Sequence, residues 1–482
     1  MYSVTFRKQV EKISHTKSLP RTRTKKQIDP LNGNLFKSIF AFAIPVMLTG
    51  LLQLTFNAAD IIIVGQAAGS DAVGQVGATG SIINLIVNMF IGFSVGVSVS
   101  VSREYGAGNH QNVSKLVHTA VATAVVGGII CAFVGFFGAR YFLELMQTDL
   151  MHIDGSTLYM KIYFLAMPAS MVYNFCAAIL RAIGNSKTPL IILTSAGVVN
   201  VIFNIFFVTA CGMSVDGVAL ATVISQYIAM VWVLIYLAKE SGSHKLSFKE
   251  IRFDKQSLKS IILIGFPAGI YGSLFSLSNI IIQSSINSFG NIVVNGNAAA
   301  GSIEGFIYTA SNAFHQAAIT FIGQNRGAGK YDRILKSLGV CAFYSFIFEV
   351  VLAAITYFFS VPLLGIYIKD SSAAITTGVI RITMIGIPHF ICGLMDVVNG
   401  ALRGLGASTS PTIISLICAC GFRIVWIYTM FARYRTISML YLVYPISWAV
   451  STFFLTVLFF SLYYAKLKKF KRLSAENAVN TL

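Results

Sequence analysis

The sequence predicts an all-α membrane protein with about twelve transmembrane helices in two related halves. Of its 482 residues, 55% are hydrophobic and 11% are charged, and the mean hydropathy is +0.73. A chain of this length and composition cannot present a water-compatible surface, so lipid must cover much of it. Apolar runs recur along its whole length, and each is about 20 residues long, as a helix needs to cross a bilayer core of about 30 Å.

Twelve spans are predicted from these runs. They lie near residues 38–64, 73–101, 116–138, 157–180, 189–211, 217–238, 258–286, 296–322, 337–360, 375–401, 411–431 and 440–465. The connecting loops alternate between rich and poor in Lys and Arg, and only the loop with Arg433 and Arg435 breaks the alternation. By the positive-inside rule, both termini are expected in the cytoplasm, with the protein in the inner membrane.

These spans divide the chain into five predicted segments. They are a basic cytoplasmic tail (1–37), an N-lobe of six spans (38–238), a cytoplasmic linker (239–257), a C-lobe of six spans (258–465) and a cytoplasmic C-terminal tail (466–482). The first tail has no apolar core, so we do not expect a cleavable signal peptide. The net charge of +18 does not indicate nucleic-acid binding, because the basic residues cluster at the termini and in short loops, where they face anionic lipid.

The two lobes share motifs at an offset of about 220 residues. Three pairs of motifs correspond: Pro45 and Pro267, Gly106-Ala107-Gly108 and Gly327-Ala328-Gly329, and Leu180–Gly184 and Leu402–Gly406. Since each lobe holds six spans, both enter the membrane in the same orientation. We therefore expect two six-helix bundles related by a pseudo-two-fold axis along the membrane normal, with the substrate cavity between them.

The N-lobe carries one acid inside a predicted span, Asp60. An ionisable group in hydrocarbon costs at least about 2.5–3.5 kcal/mol, so it needs a role. Gln53, Asn57 and Asp60 share a helix face, because they are spaced by four and three residues. A carboxylate among amide oxygens suits Na⁺ or a proton. We predict a cation-binding site formed by Asp60, Asn57, Asn200, Asn204 and Thr222.

The C-lobe carries further intramembrane acids. A polar stripe follows the eighth span at steps of four, four and three residues: Glu304, Tyr308, Asn312 and His315. A carboxylate beside an aromatic ring suits an organic cation. We predict that Glu304, Tyr308 and Asn312 form a substrate-binding or second cation site, together with Asp396 of the tenth span and Gln53 of the first. Glu349, in an apolar stretch of the ninth span, is expected to be paired structurally.

The order and duplication of these motifs resemble the multidrug and toxic compound extrusion (MATE) family, within the flippase-like exporter superfamily. The resemblance covers about residues 35–465 and rests on Pro45 with Asn57–Asp60 and Val64-Gly65, both Gly-Ala-Gly turns, Ala219–Thr222 and Leu402–Gly406. It implies a V-shaped pair of six-helix bundles that exports amphiphilic, often cationic, compounds in exchange for Na⁺ or H⁺. Asp60 matches the family's first-helix aspartate, Asn200 and Asn204 match its fifth-helix partners, and Thr222 matches a sixth-helix position more loosely.

The C-lobe departs from the family pattern. Where some members have a seventh-helix glutamate, this chain reads Leu274-Phe275-Ser276, and Asp396 lies only seven residues before Arg403. Glu304 is therefore expected to serve this lobe instead. Some members carry an aspartate at the position of Asn204, and the single N-lobe acid leaves both Na⁺ and H⁺ open as coupling ions.

Two other function classes fit the sequence less well. A lipid-linked precursor flippase of the same superfamily usually has more spans and a strongly cationic cavity. Here few Lys or Arg residues lie in the middle of a span, and Arg423 is the nearest exception. An intramembrane enzyme needs a metal motif, a Ser-His pair or paired aspartates, and the sequence contains no such motif. We expect no cofactor besides the coupling Na⁺ or H⁺, and a monomer whose partners are the bilayer and a small organic substrate, with no nucleic acid.

Overall fold

The computed structural model describes residues 27–67, 69–368 and 371–479, and within these ranges it contains helices and no strand. Residues 1–26 of the predicted basic tail lie outside the described part. The helices of the first half are α1 (Leu35–Ala67), α2 (Ser70–Gly106), α3 (His110–Leu145), α4 (Leu150–Phe164), α5 (Met167–Ala182), α6 (Lys187–Ile205) and α7 (Val215–Lys239). A π-helical turn, Phe206–Ala210, extends α6.

The second half begins after a short 3₁₀ turn, Phe248–Glu250. Its helices are α8 (Lys255–Asn287), α9 (Asn291–Gly327), α10 (Tyr331–Phe358), α11 (Ser360–Tyr367), α12 (Ser372–Arg381), α13 (His389–Gly404), α14 (Thr409–Ser415), α15 (Phe422–Trp426) and α16 (Ile437–Val479). Wider π-helical turns extend α12 at Ile382–Gly386 and flank α15 at Leu416–Gly421 and Ile427–Phe431.

The described ranges hold twelve helical segments of membrane-spanning length. Nine are long and apolar enough by composition, and two bent pairs, α4 with α5 and α12 with α13, each make one more. The twelfth is α9, which has 37 residues and is the more polar because it carries the predicted stripe beginning at Glu304. The predicted fold class is therefore confirmed, and every predicted span coincides with one of these segments.

Both bent spans break at a proline. The angle between α4 and α5 is 47°, and Pro168 stands in the first turn of α5. The angle between α12 and α13 is 41°, and Pro388 is the N-cap of α13. Proline lacks the N–H group and its ring clashes with the preceding turn, so the helix ends or bends there. By contrast, α1 and α8 continue through Pro45 and Pro267.

The surface of the bundle is apolar where lipid is expected to cover it. Large side chains stand exposed along the outer helices, including Phe137 at 74% and Phe358 at 78% exposure. The interior is packed in two large clusters, one around Phe314 and Tyr441 that also takes in the start of α1, and one around Phe175 that also takes in Ile261 of α8. The hydrophobic effect does not bury side chains that face lipid, so an exposed apolar surface is the expected outcome.

The lobes are in close contact where α2 packs against α8. A Cβ atom built on Gly92 would lie 2.2 Å from the Cα of Gly269, and one on Gly96 would lie 2.2 Å from the carbonyl oxygen of Ile261. Only glycine lets two helix backbones approach so closely. These contacts hold the two lobes together along one half of each helix.

The contact between α2 and α9 at the same lobe junction shows the internal symmetry. A Cβ on Gly106 would lie 2.1 Å from the carbonyl oxygen of Gln324, and one on Gly327 would lie 2.0 Å from that of Arg103. The second pair is the first with the roles of the lobes exchanged. Gln324 also donates through Nε2 to the carbonyl of Ala182 at 2.7 Å. The duplicated Gly-Ala-Gly turns therefore face each other across the expected pseudo-two-fold axis.

The end of the predicted first tail is docked on this junction. Ile28 donates its backbone N–H to the Gly184 carbonyl at 3.1 Å in the N-lobe. The carbonyl of Pro30 accepts from Asn325 and Arg333 of the C-lobe, both at 3.2 Å. Residues just before α1 thus bridge the two lobes and are not free in solution.

Candidate functional site

A chain of hydrogen bonds links three helices of the N-lobe around Asp60. Asn204 of α6 donates through Nδ2 to Asp60 Oδ1 at 2.5 Å, and the same nitrogen lies 3.3 Å from Asn200 Oδ1. Asn200 donates in turn to Thr222 Oγ1 of α7 at 3.4 Å. Both asparagines are buried, and Asp60 is partly buried. The structure thus brings four of the five residues of the predicted cation site together.

One acceptor in this cluster has no partner. The side-chain oxygen of Asn204 is buried and accepts no hydrogen bond from any described residue. An unsatisfied buried acceptor costs about 1–3 kcal/mol, which a bound cation would recover. Carboxylate, amide and hydroxyl oxygens are the ligands of hard cations, and a carboxylate alone can hold a proton. The residues present therefore fit either Na⁺ or H⁺.

Two tyrosines that the sequence did not single out lie close to this acid. Tyr159 and Tyr163 of α4 both interact electrostatically with Asp60. They are one turn apart, and their rings stack with centroids 6.0 Å apart. The four-residue spacing of the two tyrosines indicates that they share one face of α4, but nothing in the sequence showed that this face lies beside α1.

Gln53 and Asn57 are placed differently from the rest of the predicted site. Both side chains are exposed, and within the described residues neither is hydrogen-bonded to Asp60. The reason is the rotation of α1, which packs Phe56 against Gly197 of α6 and thereby turns Asp60, one turn later, toward the same helix. The shared face predicted from spacing is thus split between a contact with α6 and an open surface.

Glu304, predicted for the substrate-binding or second cation site, is held in a buried ion pair. Arg381 lies with Nη2 2.7 Å from Glu304 Oε2 and Nε 3.0 Å from Oε1. The arginine also donates to Asn297 and lies over the rings of Tyr441 and Tyr444. Because the guanidinium pairs with both carboxylate oxygens, the charge of Glu304 is already neutralised in this conformation.

The partner of Glu304 could have been suspected from the sequence. Arg381 falls inside the predicted tenth span, where a charged residue is costly unless it is paired. The sequence could not choose its partner, because 77 residues separate the two side chains.

Asp396 lies where α13 packs against α9. Its Oδ2 accepts from Ser311 Oγ at 2.9 Å, and its backbone carbonyl lies 2.7 Å from His315 Nδ1. It also interacts electrostatically with Tyr308, which is 50% exposed. Tyr308 and Asn312, one turn apart on α9, are thus exposed, whereas the nearby Asp396 is buried.

Glu349 has a structural partner, as expected. Its Oε2 lies 2.7 Å from His389 Nδ1, and Ser345 donates to its Oε1 at 2.9 Å. A Cβ on Gly393 would overlap the carboxylate, so α13 leaves room for it only because that residue is glycine. The acid and the histidine are both buried inside the C-lobe.

The chain matches one family model twice. The family is MatE, and the matched residues are 45–206 and 267–429. The two matches start 222 positions apart, at the two prolines noted in the sequence, so the family model itself divides the chain into the predicted repeats.

Related sequences and a solved structure agree with this match. The probable multidrug resistance protein YpnP of Bacillus subtilis is 28% identical over 81% of this chain and 87% of its own length. The probable multidrug resistance protein NorM of Thermotoga maritima is 23% identical over 79% of this chain and 82% of its own length. A solved structure of the Vibrio cholerae MATE transporter VcmN, in a variant form, superposes with a TM-score of 0.83 at 20% identity, covering 90% of this chain and 97% of that one. The duplicated family match, together with the shared fold, shows that this chain belongs to the MatE family of multidrug efflux transporters.

Proposed function

We propose that this protein is a secondary active antiporter, which exports amphiphilic or cationic small molecules in exchange for Na⁺ or H⁺ by alternating access. The observation that carries this proposal is the chain from Asp60 through Asn204 and Asn200 to Thr222. It combines a single carboxylate with an unpaired buried amide oxygen. The names of the relatives, as multidrug resistance proteins, support export as the direction and organic compounds as the cargo.

The mechanism follows from the electrostatics of a lone acid inside the bilayer. Asp60 has no basic partner among the described residues, so a cation is needed to neutralise it in a water-poor site. When Asp60 binds Na⁺ or H⁺, its carboxylate becomes a weaker acceptor for the Asn204 side chain, and this changes the packing of α1 against α6. A ligand shifts a two-state equilibrium only by its differential affinity for the two states, and here the site lies between helices that would move.

Coupling requires that the ion and the substrate bias the same equilibrium in opposite directions. The lobes are joined along the end that carries the Gly-Ala-Gly turns, so the proposed alternate state breaks those contacts and closes the opposite end. By thermodynamic linkage, if a bound ion lowers the affinity for substrate by some factor, bound substrate lowers the affinity for the ion by the same factor. We further propose that both termini are cytoplasmic and that one chain suffices for transport.

The experiment is gradient-driven uptake of a cationic dye into everted membrane vesicles. We expect rhodamine 6G to accumulate when Na⁺ or H⁺ is raised inside, with the two gradients imposed separately. Asp60→Asn keeps the size of the side chain but removes its charge, and should reduce uptake to the level of vesicles without the protein. Asp71→Asn removes an exposed acid from the first turn of α2 and should leave uptake unchanged.

Each arm has a result that contradicts the proposal. If the wild-type protein takes up no dye under the Na⁺ gradient and none under the H⁺ gradient, Na⁺- or H⁺-coupled antiport is ruled out. Undiminished uptake by Asp60→Asn would remove this residue from the coupling mechanism and would point to the C-lobe acids. A response to only one gradient identifies the coupling ion.

A further inference from the structure

A second group of polar atoms in the C-lobe is left unsatisfied. Asp396, Asn399 and Arg403 are spaced by three and four residues on α13 and share one face. Asn399 is 1% exposed, and neither its side-chain nitrogen nor its oxygen has a hydrogen-bond partner among the described residues. Arg403 is 4% exposed, and its Nε and Nη2 are unpaired in the same part of the chain. Buried polar groups are nearly always satisfied, so these four atoms on one helix face need a partner, which water or a ligand can supply.

The two free nitrogens of Arg403 form a specific recognition element. Nε and Nη2 are the guanidinium nitrogens whose N–H bonds run parallel along one edge, and their spacing matches the two oxygens of a carboxylate. Arg403 forms no salt bridge with any described acid, and Asp396 acts on it only at longer range. Arg423, also buried, differs because its Nε and Nη1 already donate to Ser447 and Asn279.

The surroundings of Arg403 suit an organic ligand better than a small ion. Its guanidinium lies over the ring of Tyr271 of α8, 5.7 Å from the centroid. Both Asp396 and Arg403 act electrostatically on Tyr271 and on Tyr308, and the ring of Tyr308 is half exposed, so the buried cluster lies near an exposed aromatic ring of α9. Asp396 and Arg403 are seven residues apart, which places them about 10 Å apart along the helix axis. A positive and a negative recognition group are thus separated by the length of a small aromatic molecule.

We propose that Arg403, together with Asn399, binds the carboxylate of a zwitterionic amphiphile, while Asp396 and the two tyrosine rings receive its cationic part. The proposed export function is the context for this inference, which adds the residue that recognises a negative group on the substrate. Arg403 then acts as a specificity-determining residue, because neutralising the substrate's carboxylate would remove its partner.

Two dyes that differ at one group provide the test. Rhodamine 110 carries a free carboxylate beside its cationic ring system, and rhodamine 123 is its methyl ester. Their binding to the purified full-length protein in nanodiscs is measured by fluorescence anisotropy with no ion gradient. We expect Arg403→Gln to weaken rhodamine 110 binding about tenfold or more, as for the loss of a hydrogen-bonded charge. Rhodamine 123 binding should change by less than about twofold, which also shows that the variant is folded.

Two further variants separate recognition from a structural role. Arg403→Lys keeps the charge but not the parallel N–H pair, and should restore only part of the rhodamine 110 affinity. Arg181→Gln removes the arginine at the equivalent position of the other repeat, and should leave the affinity ratio of the two dyes unchanged.

Several outcomes would overturn the assignment. They are failure of the wild-type protein to bind rhodamine 110, an equal loss for both dyes in Arg403→Gln, or the same loss in Arg181→Gln. Binding is measured without a gradient, so the two proposals can fail independently. If Arg403 discriminates between the dyes but the protein shows no antiport, the proposed function is wrong and this site remains.

Discussion

The buried pair between Glu304 and Arg381 provides a direct test of how the C-lobe uses its acids. Arg381→Met keeps much of the side-chain volume but removes the guanidinium, which leaves the carboxylate charged and unpaired. The two side chains are only 11% and 12% exposed, so water screens them little. Removing one partner of a buried pair costs about 3–5 kcal/mol. The upper end is expected here, because Arg381 also loses its bond to Asn297 and its contact with Tyr441.

The assay is a double-mutant cycle on thermal stability. Arg381→Met, Glu304→Leu and the double variant are purified in one detergent, and their melting is followed by the fluorescence of the three tryptophans. We expect the largest decrease in melting temperature for Arg381→Met and partial recovery in the double variant, since an apolar pair leaves no buried charge. The coupling free energy should reach about 2 kcal/mol.

A matched exposed pair serves as the control. Arg472 and Glu476 are one turn apart on α16 with side chains 81% and 47% exposed, and Arg472→Met should not measurably change the melting temperature. Additive effects at positions 304 and 381 would show that the two residues do not form a pair in the folded protein. Glu304 would then again be a candidate for cation binding.

Two further predictions concern the lobe junction and the linker. Gly92→Ala should lower the melting temperature, because its methyl group would overlap the backbone of Gly269, whereas Gly80→Ala, with no atom within 4 Å of the new Cβ, should raise it slightly. At the start of α8, the backbone N–H and the hydroxyl of Ser257 donate to Asp254 at 2.9 and 2.8 Å, which lowers the pKa of that carboxyl below its ordinary value. The stabilisation is present above the ordinary pKa and is lost as the pH falls through the lowered one. Asp254→Ala should therefore cost about 1 kcal/mol at neutral pH and progressively less in acid, as melting at several pH values would show.

The helices were predictable because the bilayer imposes a strong constraint on each of them separately. A spanning segment must satisfy its own backbone and be apolar over about 20 residues, and both properties are local. The bends of 47° and 41° coincide with Pro168 and Pro388, but α1 and α8 continue through Pro45 and Pro267, so whether a proline bends its span depends on packing. The wide π-helical turns around α15 were not predicted, since no residue type in that stretch marks them.

The N-lobe site was predictable to a similar degree. Asp60, Asn200, Asn204 and Thr222 are conspicuous as polar residues within apolar spans, and the resemblance to a known family related them to one another. Their hydrogen-bonded chain remains a predicted cation site, and its chemistry fits one. Spacing alone could not show that Asn57 faces an open surface, because a shared helix face does not reveal which neighbour covers it.

By itself, the sequence determined that this protein spans the membrane as two related sets of six helices, and which few charged residues lie inside the bilayer. Only the tertiary structure decided how those charges are paired. Glu304 meets Arg381 across 77 residues and Glu349 meets His389 across 40, whereas Arg403 meets no acid among the described residues. The physical reason is that apolar length is a property of one helix, while the neutralisation of a charge depends on which helices pack against it.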